Sequence, residues 1–113
     1  MTISTITVPV ADLEKAKALY RALLGVEPSA EHGYHVAFRP PGAPEVALDP
    51  HGDVAAGPIV YWRTDDIAAA VAALVVAGAS EERSPHEVGQ GAFMATVRDT
   101  EGHLIGLHQP ATA

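Results

Sequence analysis

The sequence predicts an α+β fold made of two βαβββ modules. Three observations carry that expectation. The order of elements is written twice along the chain. Each half opens on a β-branched strand that runs into aspartate and then an apolar helical stripe. Each half closes on a hairpin whose turn is marked by Pro or Gly.

Thr2 to Val10 alternate, with Ile6, Val8 and Val10 on one face and Thr5, Thr7 and Pro9 on the other, which is the period of a strand. Asp12 is placed to cap a helix running to Leu24. Leu13, Ala16, Tyr20, Leu23 and Leu24 recur at helical spacing, and Gly25 stops the helix. A short strand is expected near Pro28 to His32, then a hairpin of Tyr34 to Arg39 and Glu45 to Asp49 around Pro40, Pro41, Gly42 and Pro44. Ile59 to Thr64 begins the second round. Asp65 or Asp66 caps a helix to Ala77 with Ile67, Ala70, Val71, Leu74 and Val75 as its stripe, and Gly78 near its end. Glu81 to Val88 reads as a weak strand. Ala92 to Arg98 and His103 to Gln109 form the closing hairpin around Asp99-Thr100-Glu101-Gly102. A shift of 54 residues lays Asp12-Leu13 on Asp66-Ile67 and Ile6 on Val60; five more in the hairpins lay Arg39 on Arg98 and Leu48 on Leu107.

Composition narrows the function classes. A chain of 113 residues with 48% apolar and 19% charged residues suits one globular domain. We take residues 1–113 as that domain, with module one at 1–54 and module two at 55–113. The net charge of −7 leaves no basic footprint for nucleic acid. The absence of cysteine excludes disulfides, thiolate catalysis and cysteine-held metal. No apolar run reaches the roughly 18 residues of a membrane span, and the N-terminus lacks the pattern of a cleavable signal, so a cytoplasmic location is expected.

Two stretches are the most specific: Val8-Pro-Val-Ala-Asp-Leu-Glu-Lys-Ala-Lys-Ala-Leu-Tyr-Arg-Ala-Leu-Leu-Gly25 and Val97-Arg-Asp-Thr-Glu-Gly-His-Leu-Ile-Gly106. With the doubled element order, they make the chain resemble the vicinal oxygen chelate superfamily, which includes glyoxalase I, bleomycin-resistance proteins and extradiol dioxygenases. The family usually has Pro where Thr100 stands. The resemblance implies mixed curved sheets that enclose a cavity, with the helices on the outer face. It further implies a homodimer and a small-molecule ligand.

Strand parity then assigns faces. The Asp99-Thr-Glu-Gly102 segment suits a type I turn with a left-handed glycine. In that register Arg98 faces Leu104, Thr96 faces Gly106 and Met94 faces His108, while Phe93, Ala95, Val97, Ile105 and Leu107 pack on a helix. Trp62 joins the core by the same parity. The opposite face supplies the candidate ligand-binding residues Thr7, His35, Arg39, Asp49, Tyr61, Arg63, Met94, Thr96, Arg98 and His108, with Thr5 and Glu45 beside them. Arg39, Arg63 and Arg98 offer guanidinium groups to a carboxylate or phosphate, or pair as rim residues with acids such as Glu45 and Asp49. Tyr61 either stacks on a planar ligand or fills the cavity.

Metal-dependent members of the family hold a divalent ion on four side chains, from the first and last strands of each module. The matching positions here are Thr5, Ala47, Ile59 and Gly106, which carry neither imidazole nor carboxylate. No cofactor is therefore expected. Asp49 and His108 stand two residues beyond such positions and are the alternative, a displaced site. The function expected is metal-free binding of a small organic molecule, as in bleomycin-resistance proteins. The alternative is a lyase, isomerase or epimerase on an oxygenated small molecule, with Glu45, Asp49, His35 and His108 as the candidate proton carriers. No Gly-rich phosphate loop or serine-nucleophile elbow occurs.

Overall fold

The computed structural model describes residues 1–111. The elements follow as β1 (Ile3–Pro9), α1 (Leu13–Leu24), β2 (Ala30–His32), β3 (His35–Phe38), β4 (Glu45–Asp49), β5 (Ile59–Arg63), α2 (Ile67–Val76), β6 (Ser80–Gly89), β7 (Ala92–Arg98) and β8 (Leu104–Gln109). The order βαβββ is thus repeated. A 3-10 turn at Val54–Ala56, which no sequence pattern announces, precedes β5; the Asp53 carboxylate accepts from the Ala55 amide there. No helix among the described residues is long and apolar enough to cross a membrane. The chain divides into two compact units, Thr5–Ile59 and Met1–Ser4 with the chain from Val60 on.

In the Thr5–Ile59 unit the strands run in the order β2-β3-β4-β1. β1 lies parallel to β4, with Thr5 opposite Glu45 and Thr7 opposite Ala47; β3 runs antiparallel to both β2 and β4. Asp12 caps α1 through a 3.0 Å bond from the Lys15 amide, and Gly25 ends it at φ 71°, a left-handed conformation that disfavours any residue with a Cβ. Leu13, Ala16, Tyr20 and Leu24 of α1 pack on Val10, Val36, Phe38 and Leu48. Since neighbouring side chains on a strand point to opposite faces, Thr5, Thr7, Ala37 and Ala47 belong to the face without a helix. β3 is shorter than Tyr34 to Arg39. Gly33 and Tyr34 form the turn out of β2, and Arg39 precedes Pro40, which has no amide to extend the ladder.

In the other unit the order is β5-β8-β7-β6. Ile67 and Val71 of α2 pack on Ala95, Val97 and Leu107, with Trp62, Phe93 and Ile105 around them, so parity placed Trp62 correctly. Asp66, not Asp65, is the N-cap and accepts from the Ala69 amide. The Gln109 side chain takes a further first-turn amide, that of Ile67, at 2.8 Å. The expected hairpin register is observed: Met94 with His108, Thr96 with Gly106, Arg98 with Leu104. β6 is no weak strand. It spans ten residues, but its pairing with β7 shifts register three times, at Glu81/Arg83, Arg83/His86 and Glu87/Gly89.

The β7–β8 turn is held by Asp99, whose Oδ1 accepts from the amides of Glu101 and His103, each at 2.9 Å. Gly102 sits at φ 89°. The bond from the His103 amide, and after it that from Glu101, holds the Asp99 carboxyl below the usual carboxylate range. A carboxyl lowered on folding stabilises the turn above its unfolded-state pKa, and the stabilisation is lost as pH falls through the folded value. Resonances of Thr100 to Gly102 are therefore expected to titrate together in acid, and in Asp99→Asn that transition should vanish.

Candidate functional site

The predicted site residues fall into a group in each unit. In the unit from Val60 on, three adjacent strands bring five of them together. Arg63, His108 and Met94 form one cross-strand row, and Tyr61, Gly106 and Thr96 form the next. Gly106 decides the geometry of the second row. A Cβ built there would lie 2.5 Å from Tyr61 Cδ2, 2.6 Å from Cγ and 2.8 Å from Cε2. The Tyr61 ring therefore lies flat against the Gly106 backbone, and that contact exists only because the residue has no side chain. Thr96 on the far side of Gly106 is buried and Met94 half-buried.

His108 is bonded through Nδ1 to the hydroxyl of Ser4 at 2.5 Å. Sequence reading missed Ser4, because nothing local in a strand signals a partner 104 residues away. Arg63 is exposed and makes no ion pair among the described residues; its backbone amide donates to Thr2 at 2.8 Å. Arg98 is fully engaged. Its Nε and Nη2 meet the two oxygens of Glu82 at 3.0 and 3.2 Å, and Nη1 donates to the Gly102 carbonyl at 2.8 Å. The Glu82 carboxylate raises the Arg98 guanidinium above its ordinary pKa, first by hydrogen bonding and then by charge.

In the Thr5–Ile59 unit, Arg39 pairs with Glu45 at 3.0 Å, and Glu45 also accepts from the buried Thr5 hydroxyl at 3.3 Å. Arg39 thus takes a partner that the rim reading names. Asp49 uses Oδ1 to accept from the His51 amide at 2.8 Å, and a side chain at position 52 would come within 3.2 Å of its other oxygen. It holds the turn after β4. Thr7 is half-buried opposite Ala47. His35 is half-buried at the end of β3, with its ring near that of His32.

At the four positions where the resembled family would place metal ligands, the chemistry does not fit an ion. Thr5 is hydrogen-bonded to Glu45, Ala47 and Ile59 have no donor atom, and Gly106 is covered by the Tyr61 ring. Among the described residues no three His, Asp or Glu side chains cluster closely enough to hold a metal.

The model of the Glyoxalase/Bleomycin resistance protein/Dioxygenase superfamily matches residues 2–107. A glyoxalase/bleomycin resistance protein/dioxygenase superfamily member from Vibrio splendidus superposes with a TM-score of 0.74 at 18% identity, over 96% of this chain and 100% of that one. Methylmalonyl-CoA epimerase from Mycobacterium tuberculosis gives 0.70 at 20% identity, over 98% and 89%. A Streptomyces coelicolor methylmalonyl-CoA epimerase variant complexed with 2-nitronate-propionyl-CoA gives 0.73 at 20%, over 99% of each chain. At such identities the likeness is one of fold. The sequence matches no curated protein.

Proposed function

Because the chain belongs to the glyoxalase/bleomycin resistance protein/dioxygenase superfamily, we propose that it binds a small organic molecule on the helix-free side of its sheets without a metal ion at the family's ligand positions. The observation that carries this reading is the Tyr61 ring seated on Gly106. An aromatic face, a buried hydroxyl at Thr96 and a thioether at Met94 are groups that bind a ligand's planar or apolar part. Arg63 beside them suits a carboxylate or phosphate. The homodimer expected from the family belongs to the same reading.

The test is a fragment screen by amide chemical shifts on the isotope-labelled protein, with planar carboxylic acids as probes and with chelator present. Ligand-induced shifts are expected at Tyr61, Thr96 and His108, unchanged by removing the chelator, and sedimentation of the same sample should report a dimer. The reading is overturned if one equivalent of zinc, nickel, cobalt, iron or manganese binds to protein lacking His32 and His35 and is lost with His108→Ala. That result would mean a ligand set moved two residues along the strands.

A second reading, proton transfer of the epimerase kind, is favoured by Glu45. This carboxylate is half-buried and held by Arg39 and Thr5 at a fixed place on the helix-free side. Glu45 would serve as the base for a carbon acid flanked by a carbonyl. Incubation with methylmalonyl-CoA in deuterium oxide separates the readings: deuterium incorporated by the native chain and not by Glu45→Gln supports catalysis, and none by either leaves the binding reading.

A further inference from the structure

The tight turn from β2 to β3 sets two imidazoles side by side. His32 and His35 flank Gly33 and Tyr34 and are register partners across the antiparallel pair. Residues opposed in this way carry their side chains on one face, with Cβ atoms about 4.5–5.5 Å apart. Their ring centres are 6.3 Å apart, with the planes 29° from parallel. Tyr34 stacks on His32 at 5.5 Å and 13°, which restricts how that ring can turn. Neither imidazole has a hydrogen-bond or ion-pair partner among the described residues. The neighbouring Glu31 carboxylate is taken by Lys17.

Two imidazoles that share one ion through metal–nitrogen bonds of about 2.1 Å hold their ring centres roughly 5–6 Å apart. The hairpin pair is close to that separation, and sharing one ion requires the His35 ring to turn until a nitrogen of each ring faces the same point. We propose that His32 and His35 form a two-nitrogen clip for a borderline transition-metal dication, binding copper(II) and nickel(II) ahead of zinc. Imidazole suits these ions, and their order follows the general trend of divalent affinities. An overall charge of −7 attracts the cation. With two protein ligands the ion keeps positions open to water or to an oxygen donor of a bound molecule. None of the residues involved is among Thr5, Ala47, Ile59 or Gly106, so the clip is independent of the family's metal position and of the proposed function.

The experiment is a titration of the untagged full chain with nickel(II) and copper(II) in a non-coordinating buffer. It is followed by the histidine ring resonances with nickel and by calorimetry with both ions. One equivalent is expected, with His32 and His35 perturbed first. His32→Gln or His35→Gln alone should weaken binding by about tenfold or more, because the chelate is broken, and the double variant little further. Glutamine keeps a polar side chain on each strand, and unchanged amide shifts outside residues 30–38 will show that the hairpin persists. His103→Gln should leave binding unchanged. The clip is refuted if the double glutamine variant binds as tightly as the native chain, or if nickel first perturbs His51, His86, His103 or His108.

Discussion

Replacing Gly106 by alanine is expected to destabilise the protein by about 1–3 kcal/mol, the usual cost of overpacking. The added methyl would sit 2.5–2.8 Å from three atoms of the Tyr61 ring, closer than carbon atoms approach without displacement. Neither side yields easily. Gly106 is fixed in β8 between β5 and β7, and the Tyr61 backbone is its partner in the parallel ladder. The ring must therefore swing off the strand. Urea denaturation of Gly106→Ala, Tyr61→Ala and the double variant checks the mechanism. With the ring gone the three closest contacts of the methyl are removed, so the double variant should lose less than the sum of the single losses. Strict additivity would refute the contact. The Gly106→Ala variant should also lose the ligand-induced shifts at Tyr61, since its ring would no longer lie flat.

Phe38→Ala should have the larger effect on stability, about 3–5 kcal/mol. Phe38 is fully buried and packs with Val36, Leu48 and Val10 under α1. It is the largest of the fully buried side chains, and removing the ring leaves a cavity that strands pinned on both sides cannot close. A native protein is stable by only about 5–15 kcal/mol, so a large share of its stability would be lost. The denaturation midpoint should fall accordingly with little change in slope. A loss below about 1 kcal/mol would mean that α1 repacks over the gap.

These two residues differ in how far the sequence reveals them. Phe38 follows from alternation alone, since Val36 and Phe38 share a parity and a face. The β7–β8 register was legible to the residue, because Asp99-Thr-Glu-Gly102 suits a type I turn with a left-handed glycine and that turn fixes the pairing. The seat of Tyr61 on Gly106 was only half legible. A glycine inside a strand signals close approach, but what approaches depends on the register of the parallel pair β5 and β8, which no turn sets. The partner of Arg98 was hidden for another reason. Glu82 reaches it from a strand whose bulges break the period of two on which parity depends. The imidazole pair became visible only once β3 was known to begin at His35, leaving a two-residue turn.

Strands β2 and β6, each at one end of its own unit's strand order, have a consequence for self-association. An unpaired strand edge is a template on which another chain can extend the ladder. β2 offers only three residues, two of them exposed and polar. β6 is long, but it carries Glu81, Glu82, Arg83 and Glu87, is interrupted by Pro85, and is kinked by three register shifts. A guest strand would find acceptor and donor groups out of step and a proline where an amide is needed. β2 and β6 are thus both poor starting points for amyloid-like growth.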